Sequence, residues 1–197
     1  MTAAIVLAAG RGSRMGGPKH ALRLSGSSFL EAILRTAAAA RIEVVRVVVA
    51  PSSIPQGLAG DRLVVNPAPE RGMLSSVHCG IAALPAGVSG FLLWPVDHPM
   101  VTPETILALR EAAERIGAPV VVPTHDGRRG HPAWFSARVI PEILVAPERV
   151  GAKAVVLAHT DRLELPVDDP GVIGDVDTPD DYARLPGKSR RSPWEVR

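Results

Sequence analysis

The segment AAIVLAAGRGSRMGGPKHAL, residues 3–22, decides how the rest of the chain is read. Residues 3–9 are apolar and predict a strand covered on both faces. The run stops at Gly10. Glycines 10, 12, 16 and 17 then alternate with Arg11, Arg14 and Lys19. Glycine permits positive φ and lets successive backbone N–H groups converge on an anion. In an open α/β sheet, ligands bind beyond the carboxyl ends of the strands, which is where this turn falls. The loop reads as a cradle for a triphosphate; the competing reading is a strand-to-helix turn with solvated basic residues. Spacing excludes two familiar phosphate loops. G-x-G-x-x-G would need glycine where Met15 stands, and G-x-x-x-x-G-K-[ST] would need lysine directly after glycine, whereas Lys19 follows Gly16 by three and precedes His20.

Outward from this segment, short apolar runs at 44–50, 62–66, 89–96 and 119–123 predict further strands. Ser28 and Glu31 form a capping-box pattern for a helix over 28–41. Thr102, Pro103 and Glu104 open one over 103–116. Another begins near Ser75 or Ser76. After residue 124 the pattern loosens: a hairpin strand within 127–136, helices near 137–145 and 151–158, a strand near 162–166, and a short helix opened by Thr178-Pro179. The alternation implies one Rossmann-like, three-layer α/β/α domain over residues 1–185 with a mostly parallel central sheet. Residues 186–197 read as a flexible basic tail.

Length fits one domain with one core. Aromatics are only 4% of the 197 residues, which argues against base-stacking platforms and a nucleic-acid partner. The net charge of +2 is a tail property. Lys188, Arg190, Arg191 and Arg197 against Glu195 give +3, leaving −1 elsewhere. A single cysteine, Cys79, forbids an intrachain disulfide and reads as a small buried hydrophobe. No basic stretch precedes 3–9, and no apolar run approaches the ~20 residues that span a bilayer. The expected setting is cytoplasmic, without membrane contact.

Chemistry-bearing residues recur at the predicted strand ends. In LLWPVDHPM (92–100), Asp97 projects toward the same crevice as the first loop. It can hold Mg²⁺, which takes one or two carboxylates plus substrate phosphates, or serve as a turn aspartate. In GDVDTPDDY (174–182), Asp175 and Asp177 fall on one face of an extended segment, as metal ligands or as acidic decoration of a helix start. In NPAPERGMLSSVHCGI (66–81), Asn66, Gly72, Ser75 and Ser76 surround a helix N-terminus that can face an anion or base, or simply cap. In GRRGHPAWF (127–135), His131 and Arg128 read either as acceptor contacts or as a packed histidine and a solvated arginine.

LAAGRGSRMGGPK resembles the signature of the MobA-like nucleotidyltransferases, roughly L-x-[AG]-G-x-x-x-R-[ML]-G-x-x-K. Leu7, Ala9, Gly10, Arg14, Met15, Gly16 and Lys19 match it. The likeness runs from residue 3 to about 184 and implies a nucleotide-diphospho-sugar transferase-like fold. It also implies Mg²⁺-dependent transfer of a nucleoside monophosphate to an acceptor phosphate. By that resemblance the backbone of Leu7, Ala8 and Ala9 meets the base. Gly10, Arg11, Gly12, Ser13 and Arg14 hold the β- and γ-phosphates, and Lys19 the α-phosphate. Asn66 and the Gly72–Ser76 segment contact base and ribose; Asp97 and Asp177 bind the metal, with Asp175 behind them. LAAG, GHP and DVDTPDD resemble the branch that moves CMP from CTP to molybdopterin, with a molybdenum enzyme as client. Open alternatives are guanylyl transfer to molybdopterin, cytidylyl transfer to a small sugar or polyol phosphate, a non-catalytic nucleotide-binding accessory protein, and a dinucleotide-dependent oxidoreductase.

Overall fold

The structure is a computed structural model that describes residues 1–186; beyond Pro186 the expected basic tail lies outside the described residues. In chain order the strands are β1 (Thr2–Ala8), β2 (Arg23–Leu24), β3 (Ser27–Ser28), β4 (Val44–Val49), β5 (Leu63–Val65), β6 (Gly90–Pro95), β7 (Val120–His125), β8 (Arg128–Arg129), β9 (Ala133–Ser136) and β10 (Leu163–Pro166). The helices are α1 (Phe29–Ala39), α2 (Met73–Ala82), α3 (Pro103–Ile116), α4 (Ile140–Leu144), α5 (Lys153–Ala158) and α6 (Pro179–Arg184). The main sheet runs β10-β7-β9-β6-β1-β4-β5, with β8 folded back on β7 and β2–β3 forming a separate ribbon.

Period-2 alternation sends both faces of the central strands into apolar layers. Ala4, Val6, Leu92 and Trp94 pack with Phe29, Ile33, Ile106 and Leu109 of α1 and α3. Ile5, Leu7, Phe91 and Leu93 pack with Leu74 and Val77 of α2, and with Ile143 and Val155 of α4 and α5. This is the three-layer sandwich expected. Among the described residues no helix is long and apolar enough to cross a membrane.

Helix starts follow their local chemistry. Ser28 Oγ accepts from the Glu31 N–H at 3.1 Å, while Glu31 Oε2 accepts from the Ser28 N–H at 2.6 Å. Thr102 caps α3 and Thr178 caps α6. α2 differs from expectation: it begins at Met73, behind Gly72 at φ 96°, with no side-chain cap. At its other end a Cβ on Gly80 would lie 2.4 Å from Ile5 Cγ2, so glycine lets α2 lie close on β1.

Residues 127–136 depart most from the sequence reading. Asp126 (φ 49°) and Gly127 (φ 72°) make a two-residue turn of the type I′ kind, but its return strand β8 is only two residues long. The chain then leaves the hairpin, and β9 enters the middle of the sheet, antiparallel to both β6 and β7. It can do so because Trp134 feeds one apolar layer while Ala133 and Phe135 feed the other. The reversal brings the start of β9, and with it His131, to the edge where the parallel strands end.

Candidate functional site

β1 and β6 are parallel neighbours with Leu7 opposite Pro95. The loop after β1 and Asp97 therefore emerge side by side, and the Val96 N–H donates to the Leu7 carbonyl at 3.1 Å. The loop closes on itself. Gly12 (φ 58°) and Gly16 (φ 75°) flank a 3-10 turn over Ser13–Met15. The N–H groups of Met15 and Gly17 both donate to the Gly12 carbonyl. A Cβ on Gly12 would stand 1.9 Å from the Gly17 carbonyl oxygen, so glycine is required there twice over. Gly10 is different: its φ is not positive, and a Cβ would meet nothing within 4 Å. The N–H groups of Arg11, Gly12 and Ser13 have no acceptor among the described residues, which leaves donors for an anion. His20 closes the loop: it is buried and bonds the Ala8 backbone, and burial holds its pKa below the usual value.

Lys19 is the electrostatic centre. Its ammonium donates to Asp97 Oδ2 at 2.8 Å and to Asp177 Oδ1. Arg14 Nη2 stands 2.7 Å from the other Asp177 oxygen. Burial works against the charge on Lys19, but the hydrogen bonds from the two carboxylates, and their charges, outweigh it and raise its pKa. The Lys19 hydrogen bond holds the Asp177 carboxyl below its usual range, against partial burial and with help from the charges of Lys19 and Arg14. Two carboxylates remote in sequence thus converge on one positive atom. Among the described residues no group of three or more His, Cys, Asp or Glu gathers into a metal cage. A pair fits an ion such as Mg²⁺ that takes one or two carboxylates and completes its shell with phosphate oxygens and water. Asp175 lines the same crevice but is exposed and makes no ion pair.

Three cavities meet here. A crevice of about 420 Å³ holds Gly10, Ser13, Arg14, Lys19, Asp97 and Asp177. Next to it, about 320 Å³ is enclosed by Leu7, Ala9, Gly12, Gly72, Ser76 and Val96. These two contain most of the expected nucleotide contacts. Ala8 instead points into the α1/α3 core, and Arg11 is exposed and lines neither. Asn66 is scaffold: its amide donates to Ser75 Oγ and Ser76 Oγ at 2.8 and 2.9 Å, and its carbonyl accepts from the Ala68 N–H. Ser75 in turn donates to the Gly72 carbonyl at 2.7 Å. The Asn66–Ser75 pair shapes the wall on which Ser76 is presented.

The third cavity, about 680 Å³, lies between α2 and α5 on the floor of Leu93, Val122 and Phe135. Met73 and His131 border both it and the phosphate crevice. His131 packs its ring 5.0 Å from His98, and burial, reinforced by His98 and opposed by Asp97, lowers its pKa to about 4. The imidazole is neutral at physiological pH. Arg128 lines none of the three cavities, whereas its neighbour Arg129 lines the third and is paired with Glu164 at 2.6 Å. Arg149 and Lys153 line it too, with no side-chain partner among the described residues. Sequence reasoning missed Met73, Arg149 and Lys153. Only the apolar residue directly after Gly72 carried a readable signal; the other two reach the site through chain folding alone.

Known proteins resemble this arrangement. Over 172 residues the chain is 35% identical to the 2-C-methyl-D-erythritol 4-phosphate cytidylyltransferase of Streptomyces avermitilis, covering 78% of this chain and 67% of that one. The corresponding Streptomyces coelicolor enzyme is 36% identical, and the chain spans 62% of its length. The crystal structure of Rv0371c from Mycobacterium tuberculosis superimposes with a TM-score of 0.80 at 28% identity, covering 93% and 96% of the two chains. A manganese complex of Rv0371c gives 0.73 at 27%, covering 93% and 97%. Molybdopterin-guanine dinucleotide biosynthesis protein A from Archaeoglobus fulgidus shares the fold, with a TM-score of 0.64 at 20% identity, covering 93% and 96%. The model of the MobA-like NTP transferase domain matches residues 4–163, and the chain belongs to that family.

Proposed function

We propose that the chain transfers CMP from CTP to the phosphate of a monoester acceptor, with release of pyrophosphate and with Mg²⁺ at Asp97 and Asp177. The observation that carries this reading is the Lys19 ammonium held between two carboxylates at the mouth of a glycine loop. A protein that only bound nucleotide would not need both acids there. The names of the curated relatives support CTP as donor, and the manganese complex of Rv0371c supports a divalent ion.

The chemistry requires no protein nucleophile. The acceptor phosphate is already anionic near neutral pH, its second pKa being about 6. One of its oxygens attacks the α-phosphorus of CTP, a phosphoanhydride bond forms, the bond from the α-phosphorus to the bridging oxygen breaks, and pyrophosphate leaves. The obstacle is repulsion between two polyanions, so catalysis is positioning plus charge neutralisation. The Arg11–Ser13 backbone and Arg14 hold the β- and γ-phosphates, and Lys19 turns from its carboxylates to the α-phosphate. Leu7, Ala9, Gly72 and Ser76 enclose the base and ribose. A bound Mg²⁺ would supply neutralising charge to the triphosphate and to the leaving pyrophosphate.

The acceptor enters past His131 from the third cavity. A small polyol phosphate is the first acceptor, supported by the relatives' names; it displaces molybdopterin, whose support from the Archaeoglobus neighbour is fold alone. A phosphorylated ring compound such as molybdopterin is the second reading, and a client molybdenum enzyme follows only from it. The apolar floor of the cavity favours it. The cytoplasm, where nucleoside triphosphates are made, is the proposed setting. Pyrophosphate release measured with CTP and GTP, each against 2-C-methyl-D-erythritol 4-phosphate and molybdopterin, tests the proposal: CTP with one acceptor must turn over, and failure of every pair would refute it.

A further inference from the structure

Asp169 is the only Asp, Glu, Lys or Arg in the fully buried class among the described residues, at 3% exposure. A buried carboxylate is costly unless hydrogen-bonded. This one accepts four bonds. Oδ2 takes the Thr102 N–H at 2.9 Å, the Thr102 hydroxyl at 3.1 Å and the Thr105 hydroxyl at 2.7 Å. Oδ1 takes the Gly171 N–H at 2.9 Å. Three of the four donors belong to the start of α3, immediately downstream of Asp97. The fourth belongs to the segment that runs on to Asp177.

That segment has no α-helix or strand between β10 and α6. Its other anchors lie in the same place. The His131 N–H donates to the Val172 carbonyl at 2.8 Å, and the Val176 N–H to the Asp97 carbonyl at 3.0 Å. A Cβ on Gly171 would stand 2.6 Å from the Met100 backbone, so the two segments touch main chain to main chain. Asp97 and Asp177 are like charges that must stay within reach of one atom. Nothing in either residue's own neighbourhood in sequence enforces that.

We infer that Asp169 is a positioning residue that ties the 169–177 segment to the start of α3 and so sets the separation of the Asp97 and Asp177 carboxylates. The inference rests on the metal reading proposed above, but the tether is measurable without metal. Two variants test it, Asp169→Asn and the near-isosteric Thr105→Val, each made alone and together in the full chain. Amide hydrogen exchange of Val176 should accelerate at least about tenfold in both, while Val6 in central β1 keeps its wild-type rate. Mn²⁺ affinity in the presence of CTP, read by electron paramagnetic resonance, should weaken about 10–100-fold for Asp169→Asn, the usual effect of losing a partner behind a metal ligand. The KM for CTP should change much less than kcat. The double variant should be no worse than Asp169→Asn, because the two residues share one interaction. Wild-type Val176 exchange in folded variants would overturn the tether; so would a lower Tm with unaltered Mn²⁺ affinity and kcat. Should Asp169→Asn fail to fold, Thr105→Val carries the same decision. Absence of Mn²⁺ binding by the wild type would sink the metal reading instead, and Val176 exchange would still decide the tether.

Discussion

The two ends of the crevice are built in opposite ways. The phosphate end is a continuous loop, residues 10–19, closed by its own backbone bonds and focused on Lys19. The acceptor end is assembled from β9, α2 and the turn before α5, with an apolar floor and cations that have no partner among the described residues. The first end is specified by local chemistry. The second exists only because an antiparallel strand enters a parallel sheet and carries His131 to the shared edge. A triphosphate is common to all enzymes of this chemistry, whereas the acceptor differs among them, and the division of labour follows that difference.

The largest effect should come at the phosphate end. Asp97→Ala should lower metal-dependent pyrophosphate release about 10²–10³-fold with an unchanged circular dichroism spectrum. A near-wild-type rate would remove Asp97 from the metal site.

His131 lies where the two ends meet. Its pKa of about 4 lies below the usual 6.5, so the unfolded chain takes up its proton first as pH falls. Its contribution to stability is present in full above pH 6.5 and is lost as pH drops toward 4, by at most about 3 kcal/mol. Urea unfolding at pH 7 and pH 4.5 should show that loss in the wild type and much less of it in His131→Gln. Equal losses in both would place the acid sensitivity elsewhere.

Two glycines separate folding from binding inside the loop. Gly12→Ala should cost about 1–3 kcal/mol of stability, since it combines a left-handed φ with a clash. Gly10→Ala should leave Tm unchanged and weaken CTP binding, because its Cβ would occupy crevice space. Calorimetry on both variants checks the pair; the reverse pattern would break the assignment.

At the acceptor end, replacing Arg149 and Lys153 together with alanine should raise the acceptor KM about tenfold and leave the KM for CTP alone, a loss of binding without loss of chemistry. Steady-state kinetics with varied acceptor decides it, and a matching rise in the KM for CTP would show that the two ends are not separate. The smallest expected change is at Ala9, which lines the base cavity. Ala9→Gly should narrow the preference for CTP over GTP severalfold, and an unchanged ratio would release Ala9 from nucleotide choice.

The contrast also explains what was legible beforehand. The apolar runs of β1, β4 and β6, the capping boxes, and the glycine and charge pattern of residues 10–19 are local signals, and each stands in the structure within a residue or two of its expected bounds. Asp97 and Asp177 were legible as strand-end and helix-start acids, although their common contact with Lys19 was not. Asn66 read as a ligand contact because a strand-end amide looks the same whether it faces a base or two serines. Arg128 read as the acceptor contact in place of Arg129, since alternation along a two-residue strand shows which neighbours differ in face but not which face is which. The place of β9 depends on pairing with partners about 40 residues upstream, and no local pattern encodes that.

The most direct measurement is pyrophosphate release by the wild-type chain from CTP and Mg²⁺ with a phosphate monoester acceptor, with and without chelator. Turnover that requires both the ion and the acceptor is the predicted result. Tight CTP binding with no turnover on either a polyol phosphate or molybdopterin would contradict it and leave a nucleotide-binding protein in place of a transferase.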